Sequence, residues 1–510
     1  MKKQPTAPSI AEFYHEQTKY SPETISALSP NVDSRPEPFK TFVSKRTIDL
    51  QPGLAENPTA EADSTDSSSD SLILGRLSRL LHYTAGITKI HETVRGPVFL
   101  RAVPSAGALY PSEIYLATRA VGNIPDGIHS YNVRDHTLVP LWDGDFCMDI
   151  EEACFRHSAS IRANVFLILT GLFQRSSWRY LERAYRRILL DAGHVVGNVV
   201  AYASREGYKA TCISGFYDDA LNNLLFLDSA EEATLLVMPL LENNESPPVI
   251  NSPFPFPSPR QAYNLDHPND RGVMRLLHDA SVILPENGIE SSVPERAARS
   301  IPLGANEEIR LSREKSSDID SLAEVISRRR STRSYRPGKI PISTLEKILD
   351  YAYAPTRPFY QPALRARVEN CTFADPTLLT TLVVVHRVED ITPGVFVFDP
   401  RRSRLALVKP GDISEEFGKA CLGQQLGRDA SAVIVHTADL TRAIRRYGDR
   451  AYRYLHLDAG HLGQRINLAA AASQVGVSGI AGFFDDYLNT LLGLNPNMIT
   501  VYITTLGCGE

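Results

Sequence analysis

The sequence predicts an α+β chain in which one domain occurs twice. Three observations predict it: a long internal repeat at constant spacing, helical and β-branched patterns interleaved within each copy, and two breaks that frame the copies. RYLERAYRRILLDAGH begins at Arg179 and RYGDRAYRYLHLDAGH at Arg446, 267 residues later. The same spacing relates GFYDDALNNLLFL at Gly215 to GFFDDYLNTLLGL at Gly482, and VFLILT at Val165 to AVIVHT at Ala432. It also relates Gly127 to Gly394 and the pair Gly144–Asp145 to Gly411–Asp412. A period this long means duplicated domains, not a solenoid. Two copies of one domain in a chain often recreate a two-fold homodimer, so an intrachain pseudo-dimer is expected.

The elements follow in order. Residues 1–71 form an N-terminal extension ending in PGLAENPTAEADSTDSSSDS, residues 52–71, which is polar and acidic and reads as a loop or linker. The first copy spans 72–243, with strands expected at Ile114–Leu116 and Val165–Leu169. Its main helix is expected from Leu181 to Arg205. Ile188, Ala192, Val195, Val196, Val199 and Ala203 recur there at helical spacing, and Gly207 follows as a stop. The connector, 244–319, opens with the proline-rich NESPPVINSPFPFPSPR, which forbids helix, and holds one amphipathic helix candidate at Gly272–Ile283. The second copy, 320–510, repeats the pattern. Strands are expected at Val383–Val385, Val433–Val435 and Ile499–Ile503, and a helix carries Leu455, Ala459, Leu462, Ile466 and Ala470.

Composition removes several functions. Hydrophobic residues at 43% and charged residues at 22% are the balance of a soluble globular protein. Lys plus Arg is 54 against 59 for Asp plus Glu, a net charge of −5, which argues against a nucleic-acid partner. No apolar run is long enough to span a membrane, and the start lacks the apolar core of a secretory signal, so a cytoplasmic location is expected. The six cysteines include no CxxC pair, so neither a zinc knuckle nor a disulfide framework is expected. There is no GxSxG, HExxH or GxxxxGK[ST], and no GxGxxG after a strand. His194 and His461 sit in the two DAGH segments and read as packed, hydrogen-bonded helix histidines, with a ligand or base role as the sharper alternative.

Two segments carry chemistry. RRRSTRSYR, residues 328–336, follows the amphipathic SLAEVI, so it lies at a helix end. In extended chain Arg329, Ser331 and Arg333 share one side, and two guanidiniums with a hydroxyl suit a phosphate. The second segment is PSAGALYPS, starting at Pro104. Small residues between two prolines make a tight loop whose backbone N–H groups can approach a flat ligand.

With these pieces the chain resembles the nitroreductase-like flavin enzymes, and most closely the SagB-type dehydrogenases that include azoline oxidases. The matching stretches are YHEQTK at Tyr14, RPEPFK at Arg35, HYTAGITK at His82, PSAGALYPSEIYL at Pro104 and the two RY…DAGH segments with their GF-x-DD followers. The resemblance implies a tandem nitroreductase-like fold, a central sheet flanked by helices, binding FMN at the interface of the copies. It places Arg329, Ser331 and Arg333 on the phosphate and Pro104, Ser105, Ala106 and Gly107 against the ring. Gln424 and Gly482 are placed where the family contacts the ring from the phosphate side. The azoline oxidases carry a Lys-Tyr pair where this chain has Arg179–Tyr180 and Arg446–Tyr447. Arginine stays protonated and is a poor base, but it can polarise a carbonyl, and a tyrosine whose pKa is lowered by the neighbouring guanidinium could move a proton.

The repeat adds a stoichiometry. Position 371 matches Pro104 in the second copy and is Cys371, within NCTFADPTLL, where the ring-loop motif is lost. The stretch before the first copy has no RxSxR. Each copy retains one half-site, so one FMN per chain is expected, with Arg179 and Tyr180 facing it. The expected activity is an FMN-dependent dehydrogenase acting on a peptide, amino-acid-derived or carrier-bound substrate in natural-product biosynthesis. The alternatives are an NAD(P)H-dependent nitro- or flavin reductase and a flavin-free scaffold that docks a peptide or a modification-complex partner.

Overall fold

A computed structural model describes residues 9–26, 29–30, 34–44, 46–55, 69–94, 96–243, 255–256, 272–285, 290–291, 307–313, 319–360 and 372–509. The repeat holds residue for residue. Strands Ser112–Thr118, Gly127–Asn132, Thr137–Asp143 and Val165–Leu172 recur as Leu379–Val385, Gly394–Asp399, Arg404–Pro410 and Ala432–Asp439, each 267 residues on. Each set forms the middle of its own sheet, closed on one side by Glu232–Glu242 in the first copy and Met498–Gly509 in the second. Every ladder in the two sheets is antiparallel. The expected sheet flanked by helices is thus present twice.

Strand alternation divides the core. Ile114 and Leu116, with Val383 and Val385, point into one central core shared by both copies. Tyr115 and Ala117, or Leu382 and Val384, point outward into a separate cluster under each copy's outer helices.

Four helices organise the centre: α1 (Ile10–Gln17), α2 (Ala184–Ala203), α3 (Gly272–Ala280) and α4 (Ala451–Ala472). The helix expected from Leu181 begins with a 3₁₀ turn, Leu181–Arg183, set off by a left-handed Leu181 at φ 48°. Helices α2 and α4 lie against each other at the pseudo-two-fold axis, where glycine meets glycine. A Cβ on Gly193 would lie 2.3 Å from the Leu457 carbonyl oxygen, and one on Gly460 would lie 2.2 Å from that of Leu190. Because the obstacle is backbone, Gly460→Val forces the helices apart. It is expected to cost about 3 kcal/mol or more, the upper end for overpacking, read as a lower urea midpoint at unchanged slope.

Crossed ion clusters lock the copies. Arg183 and Arg186 of α2's copy reach Asp485 of the other at 2.6 and 2.8 Å, and Arg450 and Arg453 reach Asp218 at 2.6 and 2.7 Å. All six side chains are buried. Helices α1 and α3 strap these clusters in matching fashion. Thr18 O accepts from Arg183 and Ser281 O from Arg450, while Tyr20 N donates to Asp485 and Ile283 N to Asp218.

The stretch expected as a loop at 52–71 differs at both ends. Gln51–Ala55 is helical, and Ser69 opens the helix Ser69–Ala85. Tertiary contact overrides the polar composition: Ser78 Oγ donates to Leu50 O at 2.6 Å, and Gly53 packs so close that a Cβ would lie 2.8 Å from Gly75 Cα. Residues 56–68 lie outside the described residues. In the connector, Pro255–Phe256 pairs with Glu290–Ser291 as a two-residue ladder. The helix proposed at Gly272–Ile283 is α3, ending at Ala280.

Candidate functional site

The loop after Arg101 is bent by three residues in left-handed conformation: Gly107, Ala108 and Tyr110, at φ 66°, 54° and 49°. Helix α2 holds it. Ser105 Oγ donates to Asp191 Oδ2 at 2.5 Å, Ala106 N to Asp191 Oδ1 at 3.2 Å, and Tyr110 N to Ser105 Oγ at 2.8 Å. Burial pushes the Asp191 carboxyl up to about 7, against the hydrogen bonds from Ser105 and Ala106 that favour its charged form. Asp458 does the same for the second copy, accepting from Ala374 N and Asp375 N at 2.8 Å.

Facing this loop across the copies is the basic segment. The helix Leu322–Arg328 ends at Arg329, which stretches back over the first copy: Nε donates to Ala102 O at 3.1 Å and Nη2 to Arg101 O at 3.4 Å. Its Nη1 is buried with no partner among the described residues, and desolvation lowers this guanidinium to about 10. Thr332 N donates to Val477 O, and Val477 N to Thr332 Oγ1, both at 2.9 Å, tying the segment to the strand Gly476–Ile480.

Between loop and segment lies a cavity of about 430 Å³. Pro104, Ser105, Ala106, Gly107, Arg179, Tyr180, Ser331, Arg333, Gln424 and Gly482 all line it. Arg329 does not; it lines an adjoining cavity of about 360 Å³ together with Pro104, Ser105, Ser331 and Arg333. Arg329, Ser331 and Arg333 share that wall, as an extended chain would place them, but Arg330 faces it too. Arg330 Nη2 donates to Thr88 O of the first copy at 3.2 Å, a contact the period-two reading does not contain. Asp191 is the sole carboxylate among the lining residues, against Arg179, Arg187 and Arg333 in the larger cavity and Lys89, Arg329, Arg330 and Arg333 in the smaller.

Tyr180 differs from expectation in one respect. Arg187 lies 4.0 Å from its ring centroid and Arg179 lies 5.6 Å away, and both lower its pKa, but burial raises it more. The phenol is therefore held neutral and able to donate. His194 is the packed histidine expected. Its Nδ1 lies 3.1 Å from Gln464 Oε1 and its Nε2 2.9 Å from Tyr502 Oη, and burial lowers it to about 3.

The residues missed by sequence reasoning are chiefly Arg187, Asp191, Tyr502 and the strand edge Ser478–Ala481. One signal existed. Arg187 stands where the otherwise repeated segment has Tyr454, a break in the repeat at a position that faces the cavity.

Among the described residues, side chains of its own occupy the pseudo-equivalent pocket. Phe373 stacks on His461 with centroids 4.0 Å apart, in the place of Ala106. Asp375, in the place of Ala108, pairs with Arg446 at 2.8 Å and accepts from the Tyr447 hydroxyl at 3.0 Å. Cys371, in the place of Pro104, lies outside the described residues.

The fold and site define a fused pseudo-dimer of α+β domains with one cation-rimmed cleft between its halves. The chain belongs to the nitroreductase family, a family of oxidoreductases, whose sequence profile matches residues 76–240 and 326–508. The crystal structure of a candidate nitroreductase from Anabaena variabilis ATCC 29413 is similar over 99% of this chain and all of its own, with 35% identity and a TM-score of 0.85. A candidate nitroreductase of Methanocaldococcus jannaschii is 30% identical over 172 residues, covering 34% of this chain and 82% of that protein. The microcin B17-processing protein McbC of Escherichia coli is 25% identical over 142 residues, 27% of this chain and 52% of McbC. The trifolitoxin operon protein TfxC of Rhizobium leguminosarum is 23% identical over 118 residues, 23% of this chain and 33% of TfxC. The chain thus spans about half of McbC and a third of TfxC. Among the described residues no helix is long and apolar enough to cross a membrane.

Proposed function

We propose that this protein is an FMN-dependent dehydrogenase that forms a double bond in a peptide, amino-acid-derived or carrier-bound substrate, using one composite cofactor site between its copies. The observation that carries the reading is the meeting of the two half-motifs: the Pro104–Gly107 loop of one copy and Ser331 and Arg333 of the other line the same cavity. The residues present suit the cofactor. Arg329 offers a buried, unpartnered guanidinium nitrogen, with Ser331 and Arg333 on the same wall, as a dianionic phosphate requires. Both cavities fall within the roughly 300–1,000 Å³ usual for small-ligand sites.

Arg329, Ser331 and Arg333 would hold the phosphate, and Pro104–Gly107 with Gln424 and Gly482 would flank the ring. When bound, FMN supplies two-electron oxidation of a substrate C–H. Asp191 keeps the loop in place through Ser105 and Ala106. Tyr180, held neutral by burial, donates a hydrogen bond or a proton at its hydroxyl, and the Arg179 guanidinium orients an oxygen of the substrate. Likeness to McbC, named for processing microcin B17, supports a peptide substrate. The family name and the two nitroreductase relatives favour the second reading, an NAD(P)H-dependent reductase.

The reconstituted protein is expected to bind one flavin per chain, since Phe373 and Asp375 stand in the other pocket where Ala106 and Ala108 stand in this one. A ratio near two measured by flavin absorbance overturns the composite-site reading. Anaerobic mixing separates the two enzymatic readings: bleaching of the flavin by candidate peptides and not by NADPH is expected, and the reverse selects the reductase.

A further inference from the structure

We propose that the open cavity binds a carboxylate of the substrate, gripped by Arg179 and Arg187 with the Tyr180 hydroxyl as a third donor. The inference rests on the reading of this cavity as the reacting one, and it names the class of substrate.

The protein carries its own template for this contact. In the closed pocket, Asp375 Oδ2 lies 2.8 Å from Arg446 Nη1 and accepts from Tyr447 Oη at 3.0 Å. Arg446 and Tyr447 stand 267 residues after Arg179 and Tyr180, and Asp375 stands 267 after Ala108. The same Arg–Tyr pair on the same fold therefore holds a carboxylate in one pocket and faces an alanine in the other. Ala108, Arg179 and Tyr180 all line the open cavity. The two donors converge on one face of the loop: a Cβ on Gly107 would lie 2.7 Å from Tyr180 Oη and 3.5 Å from Arg179 Nη1.

The second observation is Arg187. It replaces Tyr454 of the closed pocket, so the open one has a further guanidinium there. Arg187 is buried, and its Nη1 has no partner among the described residues. Its Nη2 reaches only to the Tyr20 hydroxyl, at 3.5 Å. Asp191 feels Arg187 electrostatically, but its oxygens accept from Ser105 and Ala106 and form no ion pair with either guanidinium. Asp375 shows a guanidinium and a phenol meeting one carboxylate oxygen, and in the open cavity Arg187 adds a second guanidinium for the other oxygen.

The full-length protein, as purified, is titrated by calorimetry with benzoate and with benzamide, which has nearly the same shape and no charge. Benzoate is expected to bind at least tenfold more tightly, at one site per chain. Arg179→Gln, at an exposed position, is expected to weaken benzoate at least fivefold, and Arg187→Gln to do the same. Both should narrow the preference for benzoate over benzamide, because a lost guanidinium weakens the charged ligand more than the neutral one. Ala108→Asp installs the carboxylate of the closed pocket and should abolish the preference. Equal binding of benzoate and benzamide, or unchanged benzoate affinity in the Arg179→Gln/Arg187→Gln double variant, overturns the proposal. Flavin content, read separately by absorbance, distinguishes the two readings. A colourless protein that still prefers benzoate overturns the flavin assignment alone, whereas a coloured protein indifferent to benzoate overturns the carboxylate site alone.

Discussion

Arg329→Ala/Arg333→Ala protein is expected to purify without flavin, whereas the unaltered protein is expected to be yellow. On the proposed reading each substitution removes a charge-assisted hydrogen bond to phosphate, worth about 1.5–3 kcal/mol. Together they weaken binding by roughly 10²–10⁴-fold, since about 1.4 kcal/mol is tenfold. Arg329 also ties the second copy to the Arg101 and Ala102 carbonyls of the first, so its loss carries a folding cost. Arg333 is exposed, which makes Arg333→Ala the cleaner single test. A roughly tenfold or greater rise in the FMN dissociation constant is expected from one lost charged contact, with an unchanged melting curve of the apoprotein. Flavin affinity equal to that of the unaltered protein in the double variant refutes the phosphate assignment.

The largest effect on stability is expected from Asp485→Ala. Asp485 is the shared acceptor of Arg183, Arg186 and the Tyr20 backbone, and all three contacts are buried. Its removal leaves two buried guanidiniums without a counter-charge, a change that costs about 3–5 kcal/mol. Asp218→Ala strands Arg450 and Arg453 in the same way. The guanidiniums of Arg183 and Arg186 hold the Asp485 carboxyl well below the usual carboxylate range. Its folded pKa is therefore lower than its unfolded value of about 3.9. The sign follows: its stabilisation is complete above about pH 4 and fades as pH falls from the unfolded toward the folded value. Urea midpoints between pH 2.5 and 7 should fall steeply on the acid side for the unaltered protein and less steeply for Asp485→Ala. Superimposable curves would remove Asp485 from the account of acid stability.

These clusters also explain why RY…DAGH and GF-x-DD are the best-matched repeated segments. Each supplies one partner of a cross-copy ion cluster: Arg183 and Arg186 come from the first type, and Asp218 and Asp485 from the second. Gly193 and Gly460, in the DAGH segments, permit backbone contact at the axis. What is alike in the two copies serves the fold, because both halves of a pseudo-dimer bury the same interface. What differs, as at Ala108 and Asp375 or Arg187 and Tyr454, marks the pocket that stayed open.

Much of this was legible in the chain. The strand expected at Val433–Val435 lies within Ala432–Asp439, and that at Ile114–Leu116 within Ser112–Thr118, because β-branched runs bounded by turns encode strands locally. The loop at Pro104 and the cluster at Arg329 were legible by residue type. Arg330, held partly by the Thr88 carbonyl of the other copy, was not. Nor was the helical start of Gln51–Ala55, which depends on packing against Ser78.

The sequence by itself determined the duplication, the two half-motifs and therefore the single composite site expected between them. Only the tertiary structure decided that Asp191 anchors the loop, that Arg187 faces the cavity with its Nη1 unpartnered among the described residues, and that Asp375 engages Arg446 and Tyr447 in the twin pocket. The physical reason is range. Strand, helix and turn preferences act over a few neighbouring residues, so they leave a mark in the sequence. The partners of a buried charge are chosen by how two domains pack. Arg183 and Asp485 stand 302 positions apart, and the stretch between them carries no local trace of their 2.6 Å contact.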